Sequence, residues 1–203
     1  IVNWYVSELL KSCIASVIKE MEMPVKEYEI IVVDNDSHDD SVEMIKVEYP
    51  EVHLIANKEN VGFGAANNQA LEFCKGERIL LLNPDTLIEN HALDALYHHM
   101  EKYDDVGIMG CRLLNGDGSL QRWTGGAFPN LTNVFCHYFF IDKLLPPALR
   151  PAPLYMVDDV DEDMDVGWIS GAVMLIRRDV IGNRIFNPHF FMYGEDMEFC
   201  HRV

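Results

Sequence analysis

The sequence lacks a long apolar run: nothing in its 203 residues approaches the roughly 18 consecutive apolar positions of a membrane-crossing helix. Its densest aromatic stretch, residues 134–145, is interrupted by His137, Asp142 and Lys143. Basic residues are scarce, 16 Lys and Arg against 33 Asp and Glu, which gives a formal net charge of −17. That balance argues against nucleic acid as a partner, because phosphate-backbone binding needs clustered cations. An anionic ligand would need local compensation from a metal ion, helix N-termini or a few placed Arg. The five cysteines (Cys13, Cys74, Cys111, Cys136, Cys200) form no Cys-x-x-Cys pair. Neither a zinc site nor a disulfide framework is indicated, and buried free thiols are expected. The first residue is Ile rather than Met, the opening residues do not show the basic start, apolar run and small-residue cleavage site of a signal peptide, and the last residues read as the opening turns of a helix. The sequence therefore reads as a piece of a longer protein.

What is present divides in two. Up to Cys111, short apolar runs alternate with helix-like stretches, the pattern of an α/β fold with a parallel sheet. The strand candidates are Ile1–Trp4, Glu29–Asp34, Val52–Ala56, Arg78–Leu82 and Gly107–Cys111. The helix candidates are Val6–Lys19, Ser41–Glu48, Gly64–Cys74 and His91–Tyr103. Beyond Cys111, Asn115–Gly118 (NGDG) predicts a tight hairpin turn. Trp123–Pro153 is rich in Pro, Gly and aromatics without a clean period. Val166–Ile176 predicts a buried strand, and Gly194–Val203 a helix start. The domain reading is one continuous unit of two halves, residues 1–111 and residues 112–203. Ligands of such sheets bind beyond the carboxyl ends of the strands, so attention goes to residues just after each strand.

Four stretches there carry chemistry. In residues 30–40, IIVVDNDSHDD, an apolar strand ends in Asp34 and Asn35. These could hydrogen-bond a base or a ribose, whereas Asp39 and Asp40 suit turn and N-cap duty. In Asn57–Asn68, NKENVGFGAANN, the Gly62-Phe63-Gly64 element lets backbone approach a ligand or lets a helix start tightly. The missing third glycine disfavours a dinucleotide fingerprint. In Ile79–Thr86, ILLLNPDT, Pro84 holds Asn83 and Asp85 in one orientation. Asp85 could cap a helix, or bind a hard divalent cation whose shell diphosphate oxygens and waters complete. In Phe190–Val203, FFMYGEDMEFCHRV, Glu195 and Asp196 open a helix after Gly194. The macrodipole explains one acid there. Neighbouring helical residues diverge by about 100°, so only one of the pair can point straight into a given cleft. Two decoys fail. Asp159, Asp161, Asp163 and Asp165 alternate like a calcium loop, but Met164 and Ser170 occupy the positions that need Gly and Glu. His91, His98 and His99 lack the i, i+4 spacing of a helical metal site.

Taken in order, VNW, VVDNDS, NVGFGAANN, LLNPD, WISGAVMLIRRD and FFMYGEDMEFCHR resemble glycosyltransferase family 2 enzymes of the GT-A fold, most of all the rhamnosyltransferase-like branch. The resemblance implies a GT-A type α/β fold, with a mostly parallel central sheet flanked by helices and a smaller acceptor-side region of mixed strands. For the two halves it implies nucleotide-sugar binding by residues 1–111 and acceptor binding by residues 112–203. It implies an inverting, metal-dependent transferase using Mg²⁺ or Mn²⁺ and a nucleoside-diphosphate-sugar donor, with rhamnose from dTDP the first candidate. Its acceptor would be a saccharide or lipid-linked, in bacterial cell-surface polysaccharide synthesis. The implied location is cytoplasmic, at the inner face of the cell membrane, with peripheral association through residues beyond Val203.

By the same resemblance, Val2, Asn3, Trp4, Asp34, Asn35, Gly62 and Asn67 would line the nucleoside pocket. Asn83 would contact the ribose or a metal-bound water, and Asp85 the metal. Gly171 and Ala172 would flank the sugar. Asp196, with Glu195 beside it, matches the catalytic base, and His189 stands where a second metal ligand could lie. An inactive nucleotide-sugar-binding module is the alternative, disfavoured by the intact acids. A nucleotidyltransferase is disfavoured because residues 2–8 hold no basic phosphate loop. The aromatic stretch Phe135–Ile141 reads either as an interaction surface or as hydrophobic core.

Overall fold

In a computed structural model, residues 1–156 and 162–203 are described. Asp159 and Asp161 of the acidic stretch lie outside them. The first half alternates as its sequence demands: β1 (Val2–Asn3), α1 (Ser7–Glu20), β2 (Ile31–Asp34), α2 (Ser41–Glu48), β3 (His53–Ala56), α3 (Phe63–Leu71), β4 (Arg78–Leu82), α4 (Ala92–Met100) and β5 (Ile108–Met109). The second half follows with β6 (Gly125–Gly126), α5 (Leu131–Tyr138), α6 (Ile141–Leu144), β7 (Trp168–Ile169), β8 (Val173–Arg177) and α7 (Glu195–Arg202). Among the described residues, no helix is long and apolar enough to cross a membrane.

β1, β2 and β3 form a parallel sheet in that order, with Asn3 beside Asp34 and Asp34 beside Ala56. The carboxyl ends of three strands are thereby aligned. A second sheet has the order β4-β8-β5, with β8 antiparallel to both neighbours. The last long strand of the described chain therefore lies between two strands of the first half. Side chains alternate across this sheet, and both sides are apolar. Leu82, Val173 and Leu175 pack on one face with Cys13 and Val17 of α1 and Leu93, Leu96 and Met100 of α4. Ile79, Leu81, Met174 and Ile176 pack on the other face with Ile185, Phe186 and Phe199. A sheet covered on both faces explains why these strands read as unbroken apolar runs. The expected α/β architecture of GT-A type is present, the mixed strands arising from β5 to β8.

Three expectations are corrected. Val166–Ile176 is two strands rather than one. The break falls at Ser170-Gly171-Ala172, where the Gly171 N–H meets Asp196 and the Ala172 N–H meets Ser170 Oγ, so neither donor continues a ladder. Residues 131–138 form a helix that periodicity did not announce. Its start is fixed by a capping box in which Asn130 accepts from the Thr132 and Asn133 N–H groups, while Asn133 accepts from Asn130. Of the five free thiols, Cys13 and Cys136 are buried, whereas Cys111 is exposed. The hairpin over Asn115–Gly118 is present as a Leu114–Leu120 bridge closed by Gly118 in the left-handed region.

Candidate active site

The site begins where β1 and β2 end. Asn3 Nδ2 donates to Asp34 Oδ2 at 2.7 Å, and the Ser37 N–H donates to Asp34 Oδ1 at 2.9 Å. Asn3, Asp34 and Asn35 are all buried, and Asn3 Oδ1 has no partner. Asn35 Nδ2 donates to the Gly62 carbonyl, and Asn57 Nδ2 donates to Asn35 Oδ1. These side chains thus tie the exits of β1 and β2 to the loop before α3. Val2 packs with Val33 and Ala66, which commits its side chain to core. Trp4 and Tyr5 are exposed at the rim, where the Tyr5 N–H donates to Ser37 Oγ.

The glycines of the third motif serve contact between segments of this chain. Gly62 has φ +87° and ψ 166°, a region open in practice only to glycine. A Cβ there would stand 2.6 Å from the Phe191 carbonyl oxygen. The Phe63 N–H donates to that same oxygen at 2.9 Å. Asn67 is buried and donates back to the Phe63 carbonyl within α3. Its neighbour Asn68, which sequence reasoning passed over, does the long-range work. Asn68 Oδ1 accepts from the Ile185 and Phe186 N–H groups and its Nδ2 donates to the Phe186 carbonyl. The loop before α3, α3 itself and the segment leading to α7 are consequently one packed body. The doubled Asn was the only signal for this.

β4 delivers Asn83-Pro84-Asp85. The Asn83 N–H donates to the Ala172 carbonyl at 2.9 Å, so this turn lies against Ser170-Gly171-Ala172. Cys13 Sγ lies 3.6 Å from the Asn83 carbonyl. Burial, with the Asp85 carboxylate adding to it, pushes this thiol up to about 11. Asp85 itself is exposed.

α7 supplies the other acids. Gly194, at φ +89°, turns the chain into the helix. Asp196 Oδ1 accepts from the Met197 N–H at 2.8 Å, and Oδ2 accepts from the Gly171 N–H at 3.4 Å. Asp196 thus meets the same three-residue break that receives Asn83, which brings two motifs distant in sequence to one place. Burial raises its carboxyl above the ordinary carboxylate range. Glu195 diverges from it as helical spacing requires. Only 5% exposed, with Oε2 unpartnered, it too is raised, by burial first and then by the Asp196 charge.

His189 is exposed, with Nδ1 against Asn187 Oδ1 at 2.9 Å. Among the described residues no three His, Cys, Asp or Glu side chains converge into a metal cage. The decoy histidines behave otherwise than as ligands: His91 Nδ1 meets the Glu20 carbonyl, and His99 pairs with Asp163 at 2.5 Å. A cavity of about 740 Å³ runs along Glu29–Ile31 and Arg78–Leu82. It touches none of Asp34, Asp85 and Asp196, so its size does not bear on the chemistry.

Residues 2–182 match the family model described as Glycosyl transferase family 2. Over 96% of its length the chain is 26% identical to the N-acetylglucosaminyl-diphospho-decaprenol L-rhamnosyltransferase of Mycobacterium tuberculosis, and spans 66% of that protein. A shorter match, 34% identical over 55% of the chain, is to the poly(ribitol-phosphate) beta-glucosyltransferase of Bacillus spizizenii, of which it spans 18%. Among solved structures, the Pyrobaculum calidifontis mannosyltransferase in complex with GDP-Man and Mn²⁺ superposes with a TM-score of 0.61 at 16% identity. That match covers 98% of this chain and 48% of the other. Staphylococcus aureus TarS 1–349 in complex with UDP gives 0.60 at 19% identity, covering 98% and 52%. The chain thus spans about half of the solved structures it resembles and two-thirds or less of these relatives.

Proposed function

This chain belongs to glycosyl transferase family 2, and from that premise we propose that it transfers a sugar from a nucleoside-diphosphate donor to a saccharide or lipid-linked acceptor, with Asp196 as general base. The product belongs to cell-surface polysaccharide, and dTDP-rhamnose is the first donor to test, in view of the named activity of the mycobacterial relative. The observation that carries the reading is the shared break at Ser170-Gly171-Ala172. It receives Asn83 from β4 on one side and the Asp196 carboxylate on the other.

The step that follows is a single displacement. The acceptor hydroxyl oxygen bonds to the anomeric carbon as the bond from that carbon to the diphosphate oxygen breaks. The bonding electrons leave with the diphosphate, and the hydroxyl proton passes to Asp196. Attack from the face opposite the leaving group inverts the configuration, and no covalent enzyme intermediate is required. Two backbone N–H groups orient the Asp196 carboxylate, while burial raises its proton affinity. Glu195, buried next to it, is itself raised by burial and then by the Asp196 charge.

The donor set suits a divalent cation held in part by substrate. Asp85 is a single exposed carboxylate at a rigid turn, and Mg²⁺ bound through one or two carboxylates plus phosphate oxygens is a common arrangement. Mg²⁺ or Mn²⁺ on Asp85 would supply positive charge for the departing diphosphate. The cation would also answer how so acidic a chain holds an anion.

Two measurements test this reading. In a thermal-shift panel of nucleoside diphosphates, Mn²⁺ should enlarge the stabilisation by the cognate nucleotide. EDTA or Asp85→Asn should remove that increment, weakening binding about tenfold or more. Equal shifts with and without Mn²⁺ would discard the metal role of Asp85. In a pH series, kcat/KM should fall on the acid side as Asp196 becomes protonated. The midpoint should lie above the roughly 3.9 of an exposed Asp, because burial raises this carboxyl. An acid limb at or below the ordinary value would assign the base elsewhere.

A further inference from the structure

α5 is turned the wrong way round for a helix of a water-soluble protein. Leu131, Phe135, Tyr138 and Phe139 recur at i, i+4, i+7 and i+8, which places them on one stripe. Such a stripe ordinarily faces the core, yet here the buried positions are Asn133 and Cys136 on the other side. Leu131 is 92% exposed and Phe135 54%, and Phe135 and Phe139 pack on each other with centroids 4.5 Å apart. Phe140 and Leu144 (83% exposed) continue the apolar surface through α6, and Leu149 extends it further.

The orientation is fixed by polar bonds. Asn133 Oδ1 accepts from the Asn130 N–H, and its Nδ2 donates to the Phe128 carbonyl. Rolling the aromatic stripe inward would break both and bury the amide without partners.

Charge singles out the same surface. Across α5, α6 and the turn after them, residues 131–150, the one carboxylate is Asp142 and the cations are Lys143 and Arg150, in a chain where acids outnumber bases two to one. Asp142 is half-buried with Oδ1 turned inside. Lys143, by contrast, is exposed, its ammonium 4.8 Å from the Phe140 ring centroid. An aromatic surface edged with cations suits the headgroup zone of an anionic bilayer. The acidic remainder of the molecule is repelled by that bilayer, which turns this face towards it. A second copy of the chain would instead bring cations against cations.

The face is also anchored beside the proposed base. β6 pairs with β7, the Ser170 N–H donates to the Thr124 carbonyl, and the Phe128 ring stacks on His201 of α7 at 4.1 Å. We propose that the exposed aromatic face of α5 and α6 docks on an anionic lipid bilayer and so holds the Asp196 site at the membrane surface. The proposal rests on the lipid-linked acceptor of the preceding reading only for its purpose; the docking itself is independent of transfer.

The test is co-sedimentation of the protein with vesicles of phosphatidylcholine and phosphatidylglycerol, compared with phosphatidylcholine alone. Wild type should sediment with the anionic vesicles, less so as salt rises. Leu131→Ser/Phe135→Ser/Phe139→Ser should reduce partitioning about tenfold or more with an unchanged thermal melt, since these side chains are exposed. Lys143→Glu/Arg150→Glu should weaken binding to anionic vesicles alone. Wild type remaining in the supernatant at low salt would overturn the proposal, as would a triple Ser variant that sediments equally. A dimer seen by analytical ultracentrifugation and lost in that variant would also overturn it, giving the face to a second copy. Transfer to a water-soluble acceptor, assayed in parallel, separates the two claims. Vesicle binding without transfer keeps the docking and sinks the transferase reading, and transfer without vesicle binding does the reverse.

Discussion

Replacing Asp196 by Asn is expected to lower sugar transfer by roughly a hundred- to ten-thousand-fold, the range associated with loss of a positioned general base. Donor binding should survive, because Asn keeps the shape of the side chain and its one amide oxygen can still accept from the Met197 N–H, the shorter of the two bonds. The fold should not suffer either. Burial raises the wild-type carboxyl, so its ionised form is disfavoured in the folded state. Its charge therefore costs stability as pH rises from the ordinary carboxylate range through the raised folded value, and none below that range. The variant should melt at the same temperature as wild type or above it at neutral pH, and the difference should vanish in acid. Single-turnover transfer, donor titration and thermal melts at two pH values check the three parts. Full turnover in the variant would remove Asp196 from the chemistry, and lost donor binding would make it a structural residue instead.

The second large effect is expected from Gly62→Ala, a change of one methyl group that touches no reacting atom. Two costs add at this position. The backbone torsions place Gly62 in a region that costs a residue with a side chain about 1–3 kcal/mol. The new Cβ would also stand 2.6 Å from the Phe191 carbonyl, which already accepts from the Phe63 N–H. A destabilisation of about 3 kcal/mol or more follows. Turnover of whatever folds should fall as well, because the displaced segment leads through Gly194 into α7 and Asp196. Gly116→Ala is the control, since a Cβ there meets nothing within 4 Å. Chemical denaturation of both variants decides the matter. Equal midpoints would show that the loop before α3 gives way without cost.

The alternation of the first half was legible because β2 and most of β4 are buried apolar runs and the helices between the strands carry apolar positions at helical spacing. Arg78–Leu82 and Ser41–Glu48 match their expected bounds for that reason. The second half resisted because its order rests on partners remote in sequence. β8 is straightforwardly apolar, but nothing local tells Ser170-Gly171-Ala172 to leave the ladder; Asp196 and Asn83, arriving from elsewhere, impose it. α5 was hidden for a different reason. Its stripe of large apolar residues is present in the letters, but Val134 and Phe140 blur the period, and the N-cap signal was Asn130 with Asn133 rather than an acid. The aromatic stretch, readable as core, is at the surface. Within the site, Asp34 and Asn35 were correctly placed at a strand exit. That their side chains are spent on Asn3, Ser37, Asn57 and Gly62 could be seen only once the loops had been brought together.

The position of β8 has a consequence for how the molecule comes into being. A ribosome releases β4 and β5 long before β8, with the whole of residues 110–172 emerging between β5 and its partner. Until that late strand arrives, each of the two early ones presents an unpaired edge, and the apolar clusters on both faces of this sheet lack the strand that joins them. Sheets joined by so distant a contact assemble slowly, and bare edges invite pairing between nascent chains. The same insertion that sets Asp196 beside the β4 turn thus makes the arrival of β8 the step on which this sheet waits.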